Sequence, residues 1–289
     1  HLSIRRQRQM CIRDRLYHAL NVWLDRLPGG LLHTNIASSG MFSAISGSSV
    51  ATAAAMGSVA LPYFQGRGYD SRMVMGSLAA GGALGNLIPP GITFIVYALM
   101  TETSVGALYL AALGPALLMV LLFTAVIMLN SKAAPPPGER IPLRQKFAAL
   151  IGLIPVILLI FVVLGTIYAG LATPTESAAL GVVASIGIAA LEGRFSLRML
   201  HQSAEATARS TAMIGLILLG AYVLNYVIGL LGVPQMIASA VDGLPFPPWV
   251  VMLMIIAFYL VLGCFMEGFS MIITTVPLVF PIVMLLGYD

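Results

Sequence analysis

The sequence predicts an all-α polytopic membrane protein built as an inverted-topology repeat, with re-entrant hairpins and a discontinuous helix. Three observations carry this prediction. Hydrophobic residues make up 59% of the 289-residue chain and charged residues 9%, with a mean hydropathy of +0.96, a composition far from that of soluble domains. Leu31 to Pro62 is apolar except for a polar run, Ser46-Gly47-Ser48-Ser49, at its middle. The next apolar segment, Met73 to Met100, is interrupted by Pro89-Pro90-Gly91.

The first apolar segment has the wrong length for an ordinary crossing. One helix over all of it would extend about 48 Å, against a hydrocarbon core of about 30 Å, while either half alone reaches only about 20 Å. A re-entrant hairpin over 31–62 fits, with its polar tip near mid-membrane. Irregular backbone is tolerated at that depth only where protein or a water-filled cavity surrounds it, so the tip belongs with a solute pathway. In the second segment, 73–100, small residues (Gly81-Gly82, Gly85-Asn86) lead into the proline pair. Two prolines remove two backbone donors and the glycine weakens the helix further. The prediction is a broken crossing whose freed carbonyls and half-helix ends face the protein interior, an arrangement suited to sodium ions and anionic substrates. A simple proline kink is the structural alternative.

Charge placement orients the chain. The later apolar segments are Val105 to Leu129, Phe147 to Tyr168, Ala178 to Leu191, Thr211 to Leu231, and Trp249 to Gly287 with a polar interruption. With residues 16–30 cytoplasmic, as an interfacial helix, and the first hairpin returning to its own side, Arg26, Arg67, Arg72, Lys132, Arg140, Arg144, Lys146, Arg194, Arg198 and Arg209 all fall on cytoplasmic loops. That is the positive-inside pattern, and counting 31–62 as one crossing destroys it; two short crossings would preserve the parity. An odd number of crossings then separates the first hairpin from the interruption at Met266-Glu267-Gly268-Phe269-Ser270. The two regions also resemble each other: Leu61-Pro62 precedes Gly68-Tyr69-Asp70 as Phe280-Pro281 precedes Gly287-Tyr288-Asp289, at the same spacing. Internal similarity with opposite topology marks an inverted-repeat secondary transporter. The resulting division is a first repeat core over 31–129, a cytoplasmic linker over 130–146 stiffened by Pro135-Pro136-Pro137, and a second repeat over 147–289 whose hairpin spans 249–287. Each arm of that second hairpin is itself long enough to cross.

Other segments and chemistries carry less. Residues 1–15 contain Gln9-Met10-Cys11-Ile12-Arg13-Asp14-Arg15, which reads as translated adapter sequence, with a basic tail as the alternative; they are set aside from the fold prediction. Residues 196–210 form a polar amphipathic segment with a Ser196 cap, expected at the cytoplasmic surface. The formal charge of +4 is scattered over loops and predicts no nucleic-acid partner. Two cysteines, Cys11 and Cys264, form neither a disulfide framework nor a metal cluster. No histidine is placed to activate Ser46 or Ser49 as a nucleophile, no pair of buried aspartates occurs, and no phosphate-binding Gly-Lys-Ser/Thr loop is present. The chain is therefore not expected to be an enzyme or an ATP-driven pump.

Candidate binding residues emerge from these features. Ser46, Gly47, Ser48 and Ser49 offer hydroxyl and backbone oxygens, hard ligands for a sodium ion or donors to a carboxylate, with small-residue packing as the alternative. Gly268, Ser270, Thr274 and Thr275 are the symmetric candidates in the second hairpin. Glu267 is the one acid inside an apolar segment, a functional candidate by default and equally a holder of backbone amides. Thr173, Pro174 and Glu176 read as N-cap, first helical residue and capping-box partner. His33 reads as an interface residue.

The run Ile45 to Gly57, the loop Gly66-Arg67-Gly68-Tyr69-Asp70, the stretch Ala79-Ala80-Gly81-Gly82 through Gly85-Asn86-Leu87-Ile88-Pro89-Pro90, the segment Gly170 to Ala179 and the stretch from Phe265 onward resemble the large permease subunit of tripartite ATP-independent periplasmic (TRAP) transporters. The resemblance covers residues 16–289; Asn86 and Gly91 depart from it, standing where an aliphatic residue and a serine are usual. It implies an elevator-type, sodium-driven importer in a bacterial inner membrane, with sodium as coupling ion and no other cofactor. It implies a small membrane subunit and a soluble periplasmic solute-binding protein as partners, and an organic acid such as a dicarboxylate or sialic acid as substrate. The carbonyls near Gly85, Leu87 and Pro89, with Asn86 and Pro90 beside them, would complete the ion site of the first hairpin. Scaffold crossings are expected before residue 16 and a second broken helix after Asp289. A single-component anion and sodium symporter of the same architecture and a noncatalytic membrane scaffold are the alternatives.

Overall fold

The computed structural model describes residues 12–130, 142–233, 235–236, 239 and 247–288. Most of the linker 130–146, most of the loop 232–248 and residues 1–11 lie outside them. Within the described residues every regular element is helical. Two compact units result: His1–Phe94 with Ser104–Leu191, and Ile95–Thr103 with Glu192–Asp289.

The first unit opens with α1 (Ile12–Leu24), which takes in four of the residues set aside from the fold prediction. It buries Leu16, Tyr17, Ala19 and Val22. The hairpin comes next as α2 (Leu31–Ser46) and α3 (Ser49–Phe64). Gly47 ends α2 in the left-handed conformation (φ 60°, ψ 15°), its amide bonded to the Ser43 carbonyl at 2.9 Å. Ser48 then caps α3, its hydroxyl accepting from the Ala51 amide at 3.4 Å. The broken segment is α4 (Ser71–Ala83), a 3-10 turn over Leu84–Asn86, and α5 (Ile92–Thr101). Asp70 caps α4 through the Arg72 amide. The Pro89–Pro90 peptide bond is cis.

α6 (Val105–Leu129) starts at a Ser104 cap. α7 (Leu143–Leu150), a 3-10 turn and α8 (Ile154–Tyr168) run on as one apolar stretch. α9 (Pro174–Leu191) begins with the predicted capping box: the Glu176 carboxylate accepts from the Thr173 amide and hydroxyl, each at 2.8 Å. Ser177, fully buried, ties α9 back to α8 through the Thr166 hydroxyl at 2.7 Å and the Val163 carbonyl.

The core of this unit surrounds the hairpin. Leu31, Leu32 and Ile36 of α2 meet Val59, Ala60 and Phe64 of α3, Val74 and Leu78 of α4, Leu84, Ile127 of α6 and Tyr17 of α1. A second cluster joins Leu16 and Ala19 of α1 to Leu153 and Val156. At the end of α1, the Trp23 indole donates to the Lys146 carbonyl at 3.1 Å, and the Lys146 ammonium lies 5.3 Å from the indole centre. That pairing covers a buried lysine with an aromatic face and tethers α1 to α7.

In the second unit α10 (Leu197–Leu230) is a single 34-residue helix capped by Ser196. The polar segment 196–210 is exposed apart from the half-buried Met199, and it continues without a break into the apolar run. No proline or glycine stands between Leu197 and Ile214 to end the first part, so helix propagation carries through. α11 (Pro248–Leu262) and α12 (Gly268–Leu285) form the arms of the second hairpin, joined by a turn over 263–267. Tyr97 of α5 meets Phe280 of α12 edge to face, ring centroids 6.4 Å apart.

Among the described residues five helical stretches are long and apolar enough to cross a membrane: Val105–Leu129, Leu143–Tyr168, Pro174–Leu191, Leu197–Leu230 and Gly268–Leu285. Val105–Leu129, Leu143–Tyr168 and the part of Leu197–Leu230 from Met213 onward expose large apolar side chains along most of their lengths, which a bilayer solvates and water does not. The chain is an all-α, multi-pass membrane protein.

Candidate hairpin-tip site

The unusual element is α2. It is buried on nearly all sides, and the buried set includes His33, Thr34, Asn35, Ser38, Ser39 and Ser43. Buried hydroxyls and amides generally find partners, and of this set Asn35, Ser38 and Ser43 do so while, among the described residues, the Thr34 and Ser39 hydroxyls do not. The Tyr17 hydroxyl donates to Asn35 Oδ1 at 2.7 Å, and Asn35 Nδ2 donates to Ser77 Oγ at 2.7 Å. Ser77 in turn donates to the Val74 carbonyl. Ser43 Oγ donates to the Ser39 carbonyl at 2.6 Å. A polar seam thus runs along an otherwise apolar core toward the hairpin tip.

At the tip the structure brings the first group of candidates together. Gly85, in the 3-10 turn, lies against the Ser48–Ser49 backbone so closely that a Cβ there would stand 2.5 Å from the Ser48 carbonyl oxygen and 2.7 Å from Ser49 Cα. Gly47 faces the proline pair in the same way, with the Pro90 carbonyl oxygen 2.9 Å from where its Cβ would be. Asn86 reaches across: its Oδ1 accepts from the Ser49 amide and its Nδ2 donates to Ser49 Oγ, both at 3.3 Å. Ser46 Oγ and Thr52 Oγ1 are 2.6 Å apart, closing the tip from one arm to the other. Ser46, Gly47, Ser48, Ser49, Gly85, Asn86 and Pro90 therefore form one compact group of hydroxyl, amide and carbonyl oxygens. Leu87 and Pro89 complete the turn behind it, where the Leu87 and Ile88 amides both bond to the Leu84 carbonyl.

Three polar residues of this region escaped the sequence reading. Thr52 and Asn35 are fully buried, and Thr93, also buried, donates to the Asn86 carbonyl at 3.0 Å. Thr52 and Asn35 sit within helical apolar patterns that look like packing. Thr93 stands just past the Pro-Pro-Gly break, the one local signal that could have singled it out.

The second group of candidates sits in the second unit. Glu267 occupies the N-cap position of α12 in extended conformation and is exposed. Gly268 opens the helix. Thr274 Oγ1 bonds to the Ser270 carbonyl at 2.8 Å, while Thr275 Oγ1 bonds to the Met271 carbonyl and lies 2.7 Å from the Tyr259 hydroxyl. The Thr275 side chain thus joins the two arms of the second hairpin as Thr52 joins those of the first. Among the described residues no group of three or more His, Cys, Asp or Glu could hold a metal ion.

The profile of one protein family, described as the DctM component of tripartite ATP-independent periplasmic transporters, matches residues 8–289. The chain belongs to this family. It is 36% identical over 277 residues to the C4-dicarboxylate TRAP transporter large permease protein DctM of Pseudomonas aeruginosa, covering 95% of this chain and 65% of that one. It is 33% identical over 286 residues to the isethionate TRAP transporter permease protein DctMQ of Oleidesulfovibrio alaskensis, covering 95% and 44%. A DctM protein of Rhodobacter capsulatus, also named for C4-dicarboxylates, is 32% identical over 278 residues, covering 90% and 63%. The chain thus spans less than two thirds of the length of these relatives. The family is one of transporter components, not of enzymes.

Proposed function

We propose that this chain carries the ion- and substrate-binding core of a TRAP large permease in a bacterial inner membrane. The substrate is a small organic acid, a dicarboxylate, sialic acid or similar carboxylate, delivered by a periplasmic solute-binding protein. A small membrane subunit completes the assembly, and an inward sodium gradient drives uptake. The observation that carries the reading is the docking of the Ser46–Ser49 tip onto the Gly85–Pro90 break, a concentration of neutral oxygens inside an apolar unit. Hard oxygen donors without fixed charge suit sodium rather than a transition metal, and titratable groups able to relay protons are scarce there. The names of the relatives, for C4-dicarboxylates and isethionate, support an organic anion as cargo.

Proteoliposomes holding the complete transporter test this directly. Accumulation collapses when potassium replaces external sodium; uptake driven by a proton gradient alone would overturn sodium coupling, and absence of any solute uptake would favour the scaffold alternative. Removing one hydroxyl, Ser46→Ala or Ser49→Ala, is expected to raise the sodium half-saturation roughly ten-fold, the effect of a polar contact to a charge. Unchanged half-saturation in both variants would reduce these serines to packing residues.

A further inference from the structure

We propose that Thr93 is a positioning residue for the hairpin tip, acting on Ser49 through Asn86. The inference rests on the sodium-site reading proposed for the tip and adds the device that sets its geometry. In a continuing helix the Asn86 carbonyl would accept from the amide of residue 90, or of residue 89 in a tighter turn. Both are proline, and neither has an N–H. The proline pair therefore strands one particular carbonyl at the half-buried end of the turn, where an unsatisfied backbone group is costly.

Thr93 answers it. From the first turn of α5, buried to 3% exposure, its hydroxyl donates to the Asn86 carbonyl at 3.0 Å. Phe94, its neighbour, is held against Tyr109 of α6 edge to face, centroids 5.8 Å apart, which anchors the start of α5. The Asn86 peptide is thereby pinned from behind while the Asn86 amide grips Ser49 in front, at the amide nitrogen and at Oγ. The chain of contacts Thr93, Asn86, Ser49 crosses the break and ends on a tip oxygen. Without the Thr93 hydroxyl the Asn86 peptide can turn to find another donor, and its side chain leaves Ser49. Thr93 has no need to touch the ion: it determines where Ser49 stands.

Sodium-dependent uptake by the complete transporter, measured for wild type, Thr93→Val and Thr93→Ser, tests this. Valine keeps the shape and removes the donor; serine restores the donor. Thr93→Val is expected to raise the sodium half-saturation roughly three- to ten-fold, as the loss of one positioning hydrogen bond allows, with the maximal rate at saturating sodium preserved within about two-fold. Thr93→Ser returns the half-saturation to the wild-type value. A sodium-dependent wild type with an unshifted Thr93→Val, or a Thr93→Ser shifted as far as the valine variant, overturns the positioning role alone. A wild type indifferent to sodium overturns the site reading and this inference together. Should Thr93→Val fail to assemble, Asn86→Ala removes the last link of the same chain, and an unchanged sodium half-saturation there overturns the inference equally.

Discussion

Gly85→Val is expected to abolish uptake by the assembled transporter while leaving its insertion into the membrane intact. Any side chain at this position meets the Ser48 carbonyl carbon and oxygen and Ser49 Cα, all backbone atoms within 2.7 Å. A flexible neighbour could swing aside, but backbone held by the αL turn of Gly47 and the cap of α3 cannot. Overpacking of this kind costs about 1–3 kcal/mol, and here the release is mechanical: the tip moves off the break and the oxygens contributed by the two elements separate. Gly57→Val is the matched control, since Gly57 has no such neighbour within 4 Å and lies one segment away on α3. Uptake measured beside detergent-solubilised thermal stability separates the effects. Wild-type uptake by Gly85→Val would show that the close docking is not needed for transport.

The second large effect is expected in stability. Asn35→Leu, of similar volume, leaves the Tyr17 hydroxyl without its acceptor and Ser77 Oγ without its donor, both inside the core. The stranded Tyr17 hydroxyl costs about 1–3 kcal/mol, while Ser77 keeps its bond to the Val74 carbonyl. The variant should therefore melt several degrees below wild type, and Tyr17→Phe combined with Asn35→Leu should recover part of the loss, because it removes one orphan. If Asn35→Leu melts with the wild type, the seam contributes nothing, and α2 is held by its apolar contacts alone. The comparison also tests how α1 is fastened, since Tyr17 links it to the hairpin by this bond and by its ring contact with Tyr63, centroids 4.8 Å apart.

The helical breaks were legible in the chain because their causes are local. Gly47 can adopt positive φ, Ser48 can cap the next helix, and Pro89-Pro90-Gly91 removes donors where they stand; each acts within a few residues and leaves a sign in the sequence. The capping box of Thr173 and Glu176 was read from spacing for the same reason. Helix continuity was harder. Polar 197–210 and apolar 211–230 differ in composition, and that contrast suggested two elements, yet composition does not end a helix without a breaker, and α10 runs through both.

The sequence by itself determined the class of this protein: an apolar, multi-pass, all-α chain of the TRAP large permease family, interrupted at two glycine- and proline-marked places where backbone oxygens are released. Membrane length, hydropathy and the geometry of proline and glycine are properties of neighbouring residues, so they survive in a linear reading. Only the tertiary structure decided what those interruptions face. The Ser49–Asn86 pairing, the Gly85 contact with Ser48, the Tyr17–Asn35–Ser77 seam and the Thr93 bond to Asn86 join residues from 7 to 42 positions apart. A serine, threonine or asparagine in an apolar helix looks the same whether it packs, back-bonds or meets a partner from another element. Which of these it does depends on burial and on the approach of a second helix, and that is fixed only when the hairpin closes onto the broken segment.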